Sequence, residues 1–540
     1  MGKFTGKRPA VKTKSAAKKK KEPETFDEFM EEAINSEEQG DRYQTGERAE
    51  RHYNRAATMY GKAFELNNTD ADCVYNWGRI LFILVNFLPS HVSPEEKLER
   101  VERSIEKFRQ ALTLEPDKTD AQFNLAQALH QKSEILQDTT EINNAYGASA
   151  MALQEAISLF DNVYSLQEKE YLELTTQKVD QEDKEQGEQG EEIKKLKELS
   201  IKEEDAHHDP DPPEPEEAPS STGSSRSTTP AQFTTVTAVE ATTAYSLIET
   251  LLSTAETMTT MASMLAAFSA SMDLFSRAKS KLALAEKWLA KASDETGNDP
   301  EKEKQQKTAR IQIHLKEAAT YAAMADRTFL ASGTVEGSLF ERAIERLSEV
   351  IEQHDARNVE AMCDRGDIYT SYGQTICECI HKKKASLDPD REGKEVWQLY
   401  ASATKSFQAA LQLEPKNLRI LNKMGDLSLI RARLDLPIAE RNKLQLLKNA
   451  AFYFKRAVEI DKEVLTSGYL GWAMSEWALE EWAEIAHKKE DALKIVRVWV
   501  KRGGSGHLFR SLAEDNETWD EEFVEFIIEN LFTTDSEDSE

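Results

Sequence analysis

Four times along this 540-residue chain a short pattern returns. Ala56, Tyr60 and Ala63 lead to Gly78 and Leu81; Ser104, Phe108 and Ala111 lead to Ala126 and Leu129. Ala403, Phe407 and Ala410 lead to Gly425 and Ser428, and Ala450, Phe454 and Ala457 lead to Gly471. In each set an aromatic residue stands four after a small one, and Ala three after the aromatic. A further small residue follows fifteen positions later, fourteen in the last set. A weaker copy runs through Ala343, Leu347, Val350 and Gly366, with a link one residue longer. Self-similarity of this kind marks supersecondary units that stack on one another. Composition makes the units helical: Gly (22) and Pro (15) are scarce, and Ala, Leu, Glu, Lys and Gln are abundant.

These residues resemble the tetratricopeptide repeat. The resemblance implies pairs of antiparallel helices that approach closely at small residues, an aromatic wedge between neighbouring pairs, and Pro at the end of the second helix. The links Leu114–Ala121 and Leu413–Asn417 fit, because Pro116 and Pro415 lack an amide and clash with the preceding turn. One departure stands out. Gly78 to Ser104 spans twenty-six positions and Gly425 to Ala450 twenty-five, where the resemblance implies about twelve. The excess predicts roughly two extra helical turns on both sides of a loop marked by Pro89 and Pro94, and again by Pro437. Asp70–Leu136 is similar in layout to the plant-type receptor subunit of the mitochondrial outer-membrane import machinery: Trp77-Gly78, an inserted loop, a Lys/Glu-rich helix, then a Pro-ended link. That resemblance implies a C-terminal membrane anchor, and none is expected from this sequence. No run reaches the ~18–20 apolar residues of a spanning helix, so membrane insertion is not expected.

The expected fold is therefore an all-α, tetratricopeptide-like solenoid with lengthened helices, disordered termini and a disordered internal insert. A basic disordered arm (1–25) precedes N-terminal repeats (26–172). An acidic, then Pro-rich, then Ser/Thr-rich insert (173–235) follows, with a charged helical start. Long helices (236–335), C-terminal repeats (336–513) and an acidic tail with an amphipathic capping helix (514–540) complete the chain. The stripe Leu247, Leu251, Met258, Met261, Leu265 and Phe268 reads as the buried seam of one long helix. Net charge is −28, yet residues 1–21 hold nine Lys/Arg and no acid, while 514–540 hold twelve Asp/Glu and no base. Such a surface repels nucleic acid and favours basic protein partners. Four cysteines do not make a disulfide framework, and the expected compartment is the cytoplasm, with a route to the nucleus if the arm is a signal.

The resemblance implies a concave face lined by the first helices. Asn76 and Asn124, two before the small residue, and Arg79 and Gln127, one after it, are the candidate peptide-groove residues; an Asn amide both donates and accepts. Their alternative role is to stitch neighbouring helices. A clamp for acidic chaperone C-termini is not expected, because Tyr75 and Phe123 replace polar groups and Asp72 and Asp120 repel a carboxylate. Lys18, Lys19, Lys20 and Lys21 form a candidate nuclear-targeting arm. Trp519, Phe523, Phe526 and Ile527 share one helical face in the acidic tail; that face either caps the last repeat or captures basic clients. Cys377, Cys379 and His381 do not make a metal site, since Cys379 points away from the other two on a helix. No phosphate loop, nucleophile elbow or zinc-protease helix is present, and no cofactor is expected. The expected function is a non-enzymatic protein-binding scaffold, adaptor or chaperone-type escort of basic clients. The alternative is a soluble co-chaperone or import-related receptor that takes targeting peptides in its groove.

Overall fold

The computed structural model describes residues 23–88, 92–138, 144–200, 242–294, 300–460, 467–514 and 519–532, with side chains of the first long insert described as far as 177. Every regular element among these residues is helical, and none is long and apolar enough to cross a membrane. The chain forms two compact units, 1–159 and 160–540.

The first unit holds α1 (Phe26–Tyr43), α2 (Gly46–Leu66), α3 (Ala71–Val85), α4 (Pro94–Leu114), α5 (Thr119–Gln137) and the start of α6 (Ala145–Ser200). Local chemistry sets the starts. Thr25 and Glu28 make a reciprocal capping box, Asp70 accepts from the Cys73 amide, and Ser93 accepts from the Glu96 amide with Pro94 in the first turn. Helices pack as consecutive pairs, α1 with α2 and α3 with α4. Tyr60 and Phe108, the aromatics of the repeated pattern, are fully buried. A methyl group at Gly78 would lie 3.0 Å from the Phe108 ring, so the small residue is what admits the wedge.

In the second unit the pairs are α7 (Ala244–Met264) with α8 (Phe268–Asp294), α9 (Pro300–Ser332) with α10 (Gly337–Glu349), and α11 (Val359–Lys382) with α12 (Glu392–Leu413). Then come α13 (Leu418–Ala432) with α14 (Pro437–Ile460) and α15 (Ser467–Glu481) with α16 (Lys488–Lys501), closed by α17 (Gly506–Glu514) and α18 (Glu521–Leu531). Phe407 abuts Gly366, and Phe454 abuts both Gly425 and Gly471, each at a distance that excludes a side chain on the glycine.

Two expectations are modified. The extra residues of the lengthened repeats do not flank the loop symmetrically. The helices α3 and α13 stop within about two turns of Gly78 and Gly425, at Val85 and Ala432. The surplus enters the second helices instead, because Pro94 and Pro437 start α4 and α14 early; fixed φ and a missing amide suit Pro to a first turn. The seam from Leu247 to Phe268 is not one helix. Leu265 turns to extended backbone, and the Arg327 guanidinium donates to the Leu265 and Ala266 carbonyls at 2.8 Å, so Phe268 opens α8. As expected, the insert at 173–235 opens with helix: α6 runs to Ser200 through Gln, Glu and Lys, which favour that state; 201–235 lie outside the described residues. The weak repeat with the overlong link also finds its cause. Val350–His354 is a π-helix, closed by the Asp355 amide on the Val350 carbonyl at 2.7 Å. Such a turn takes up one residue more than an α-turn.

Candidate functional site

The first helices of the pairs carry the candidate residues. In the first unit these are α1, α3 and α5. Glu37 of α1 is 7% exposed. It accepts from the Tyr60 hydroxyl at 3.0 Å and from the Arg79 guanidinium. Burial and then the Glu37 charge push the Tyr60 hydroxyl far above its usual range. Burial alone disfavours the Arg79 cation, but Glu37 outweighs it and holds that cation more firmly than in water. Beside it, Asn124 donates to the Tyr75 hydroxyl at 3.1 Å, and Lys118 bonds Asp72 at 2.5 Å. Burial, with the Asp120 charge behind it, raises Tyr75 to about 12; Arg79 and Lys118 oppose the rise. Thus Arg79, Tyr75 and Asn124 form one row, largely bonded within the fold, while Asn76 and Gln127 are half-buried on the same helices. Glu37, the anchor of that row, escaped the sequence reading because α1 carries no clear copy of the repeated pattern.

In the second unit the same offsets carry different chemistry. Asp364 and Lys423 stand two before Gly366 and Gly425, and Asp367 and Asp426 one after. The Lys423 ammonium bonds the Asp367 carboxylate. Asp364 and Asp426 receive no hydrogen bond from any described residue. Burial pushes the Asp364 carboxyl up to about 6, helped by Glu360 and Asp367 and opposed by Lys423 and Arg419. Burial likewise pushes Asp426 up to about 7, with Lys423 the opposing charge. Farther along, Asp326 of α9 accepts from the Ser371 hydroxyl at 3.0 Å and is also raised by burial. The sequence holds the signal for Asp364, Asp367, Lys423 and Asp426, since the offsets that single out Asn76, Arg79, Asn124 and Gln127 apply equally at Gly366 and Gly425; Asp326 stands at neither offset.

The tail face turns inward. Trp519, Phe523 and Ile527 are buried, and Phe526 is half-buried beneath the Lys489 ammonium, 5.6 Å from its ring. Phe523 meets Trp477 at 5.8 Å between ring centroids, and Trp519 stacks on Phe509 at 5.6 Å. The apolar side therefore covers the last repeat and is not open to a client; Glu521, Glu522, Glu525 and Glu529 face solvent. Cys379 is buried with its thiol 3.5 Å from the Gly333 carbonyl oxygen, and burial raises the Cys377 thiol. Among the described residues no three His, Cys, Asp or Glu side chains are placed to hold a metal ion. Lys18 to Lys21 lie outside the described residues.

Residues 48–181, about a quarter of the chain, match the family described as the plant specific mitochondrial import receptor subunit TOM20. Over 102 residues, 18% of this chain, the sequence is 28% identical to UPF0656 protein C926.02 of Schizosaccharomyces pombe. That stretch is 22% of the relative's length, so the likeness spans about a fifth of it. Similar solved structures include the human IFIT1 dimer, at 10% identity and a TM-score of 0.28 over 89% of this chain and 87% of that one. The S. pombe nuclear import adaptor Nro1 follows at 9% identity and a TM-score of 0.27 over 83% and 99%. Yeast Tom70 follows at 12% identity and a TM-score of 0.15 over 90% and 95%. At such scores the likeness does not extend to function.

Proposed function

We propose that this chain is a non-enzymatic adaptor that holds a basic segment of a partner protein along α11 and α13, escorting or recruiting that partner. The observation that carries the reading is the pair Asp364 and Asp426. Both are carboxylates on first helices, short of donors and partly withdrawn from water. Leaving such groups unpaired is costly, and a Lys or Arg from a partner supplies what the fold does not. The net charge of −28 adds long-range attraction for basic proteins.

The test is recovery of basic proteins by the tagged full-length chain, quantified beside an Asp364→Asn, Asp426→Asn double variant. Loss of about tenfold is expected, the scale of one charge-assisted hydrogen bond. Binding should also weaken as pH falls from 8 to about 5.5, because protonation then neutralises both carboxyls; a bound cation lowers their pKa, so association releases protons. Recovery that ignores both the double variant and pH sinks the proposal.

A second reading is favoured by the family match over 48–181. In it, the row on α1, α3 and α5 receives targeting segments as an import receptor does. Recovery of import precursors that is lost on Asn124→Ala, and is indifferent to the double variant, would select it.

A further inference from the structure

Arg431 stands in the last turn of α13, where that helix packs against α12. Its guanidinium lies 4.3 Å from the centre of the Trp397 ring and donates to the Thr404 hydroxyl at 3.2 Å. Trp397 and Thr404 are seven residues apart on α12 and therefore share one face. The Thr404 hydroxyl gives its own hydrogen to the Tyr400 carbonyl at 2.7 Å, so its oxygen can accept from Arg431. All three side chains belong to half-buried residues, so the site borders solvent.

What the guanidinium lacks is an anion. Lys423, Arg346 and Lys488 are also half-buried, and each has one: Asp367, Glu349 at 2.8 Å and Glu476 at 2.8 Å. Arg327 and Arg365 have no carboxylate either, but each donates to two neutral oxygens, where Arg431 donates to one. No carboxylate among the described residues pairs with Arg431, and burial alone disfavours its cation. Its Nε is sealed from water and donates to nothing; Nη2 donates to nothing either, but is not sealed. The Trp397 face and the negative end of α13 both favour a cation here, yet they leave these N–H groups without acceptors. Asp426 on the same helix is not the counter-ion, since Lys423 is the charge that opposes its rise. The helix α13 thus carries an unmatched carboxylate and an unmatched guanidinium that do not neutralise each other.

We infer that Arg431 is a binding point for a carboxylate of a partner protein, which meets the open Nη2 edge of the guanidinium while Trp397 and Thr404 hold the group in place. The planar fork of Arg suits the two oxygens of a carboxylate. The inference rests on the adaptor reading and sharpens it: the segment held at Asp364 and Asp426 carries an acid among its basic residues. That acid is either an Asp or Glu side chain or the segment's own C-terminus.

The experiment is fluorescence anisotropy of the full-length protein with labelled, amidated twelve-residue Lys/Ala/Ser peptides, in which one Glu is moved along the sequence and compared with Gln at the same place. In at least one register the Glu peptide should bind the wild type about fivefold more tightly than its Gln counterpart. Arg431→Met, which keeps a stem on Trp397, should abolish that preference, and Arg431→Lys should keep about twofold of it, since the charge stays but the fork is lost. A preference that appears only when the Gln peptides carry a free C-terminal acid, and is again lost with Arg431→Met, assigns the carboxylate to a chain end. The Glu/Gln ratio on the wild type needs no variant, and unchanged thermal melts would show that neither substitution has unfolded the unit. No preference for an acid in any register, or a preference that Arg431→Met leaves intact, overturns the inference. If the peptides bind, lose affinity with the Asp364→Asn, Asp426→Asn double variant and still ignore the acid, the Arg431 site is wrong and the adaptor reading survives. If no peptide binds the wild type, both fall.

Discussion

Gly78 and Gly366 hold equivalent places in the two units, and the residues beside them part ways. One position after, Arg79 reaches buried Glu37, which also takes the Tyr60 hydroxyl. At the matching place Asp367 takes Lys423, and Asp364, two before Gly366, receives no hydrogen bond. The position after the small residue thus serves as a fastener in both units, but the position two before it holds Asn76 in the first and, in the second, the carboxylate Asp364, which receives no hydrogen bond. Helix pairing is indifferent to which charge stands there, because small residues and aromatic wedges set it. The outward residues are free to be spent on internal bonds or kept for a partner. A charge already matched inside the fold resists recruitment by a ligand, since breaking a buried pair exposes its partner's full desolvation cost.

The largest effect should come from the part both units share. Phe454 lies against Gly425 on one side and Gly471 on the other. Phe454→Ala should cost about 3–5 kcal/mol and lower the urea midpoint of the second unit. Seven of the eight Trp residues lie in that unit, so Trp fluorescence reports its unfolding. Phe108→Ala, the counterpart against Gly78, should leave this signal in place while far-UV circular dichroism loses part of its amplitude early. Equal loss of Trp signal from both variants would mean that the units unfold as one.

Next in size is the fastener. Arg79→Met leaves Glu37 buried beside a single hydroxyl. The cost should be about 2 kcal/mol, below the ~3–5 of a fully buried pair because the Arg79 side chain is one third exposed. Removing Glu37 as well (Glu37→Gln, Arg79→Met) should recover more than half of it in a double-mutant cycle. If Arg79→Met costs nothing, Arg79 is available to a ligand and the contrast between the units collapses.

Much of this architecture was legible in the sequence. The small-aromatic-small pattern named the wedges Tyr60, Phe108, Phe407 and Phe454, all of which are buried. The single overlong link pointed to the place where a π-turn absorbs a residue. The start of α4 at Pro94 follows from proline's fixed φ, but the early halt of α3 depends on where its last turn finds cover. The site was less legible, for a physical reason. Asn76, Arg79, Asn124 and Gln127 could be placed on first helices by offset, yet whether Arg79 is spent depends on Glu37, forty-two positions away on a helix outside the pattern. A side chain's partner across space is not written in its local spacing. The aromatic tail illustrates the same limit: Trp519 and Phe523 share a face in sequence, but only Trp477 and Phe509 decide what that face covers.

The smallest effect is the most specific to the second unit. Asp364 and Asp426 have carboxyl pKa values raised in the folded state, to about 6 and about 7. The folded chain therefore binds protons more tightly than the unfolded chain between about pH 4 and pH 7. Stability should fall as pH rises through that window, with the penalty complete above it. Asp426→Asn removes the penalty, so the variant should exceed the wild type by on the order of 1 kcal/mol at pH 8, allowing for solvent around a half-buried group. At pH 4 the two should coincide, since the carboxyl is then protonated in the folded chain and neutral like the amide. Urea midpoints across pH 4–8 provide the measurement. A gain at pH 8 accompanied by weaker capture of basic proteins would show stability surrendered for binding, as expected of a site that is incomplete until its partner arrives. A constant difference at every pH would mean that Asp426 does not titrate in this window, and that its carboxylate is already satisfied within the fold.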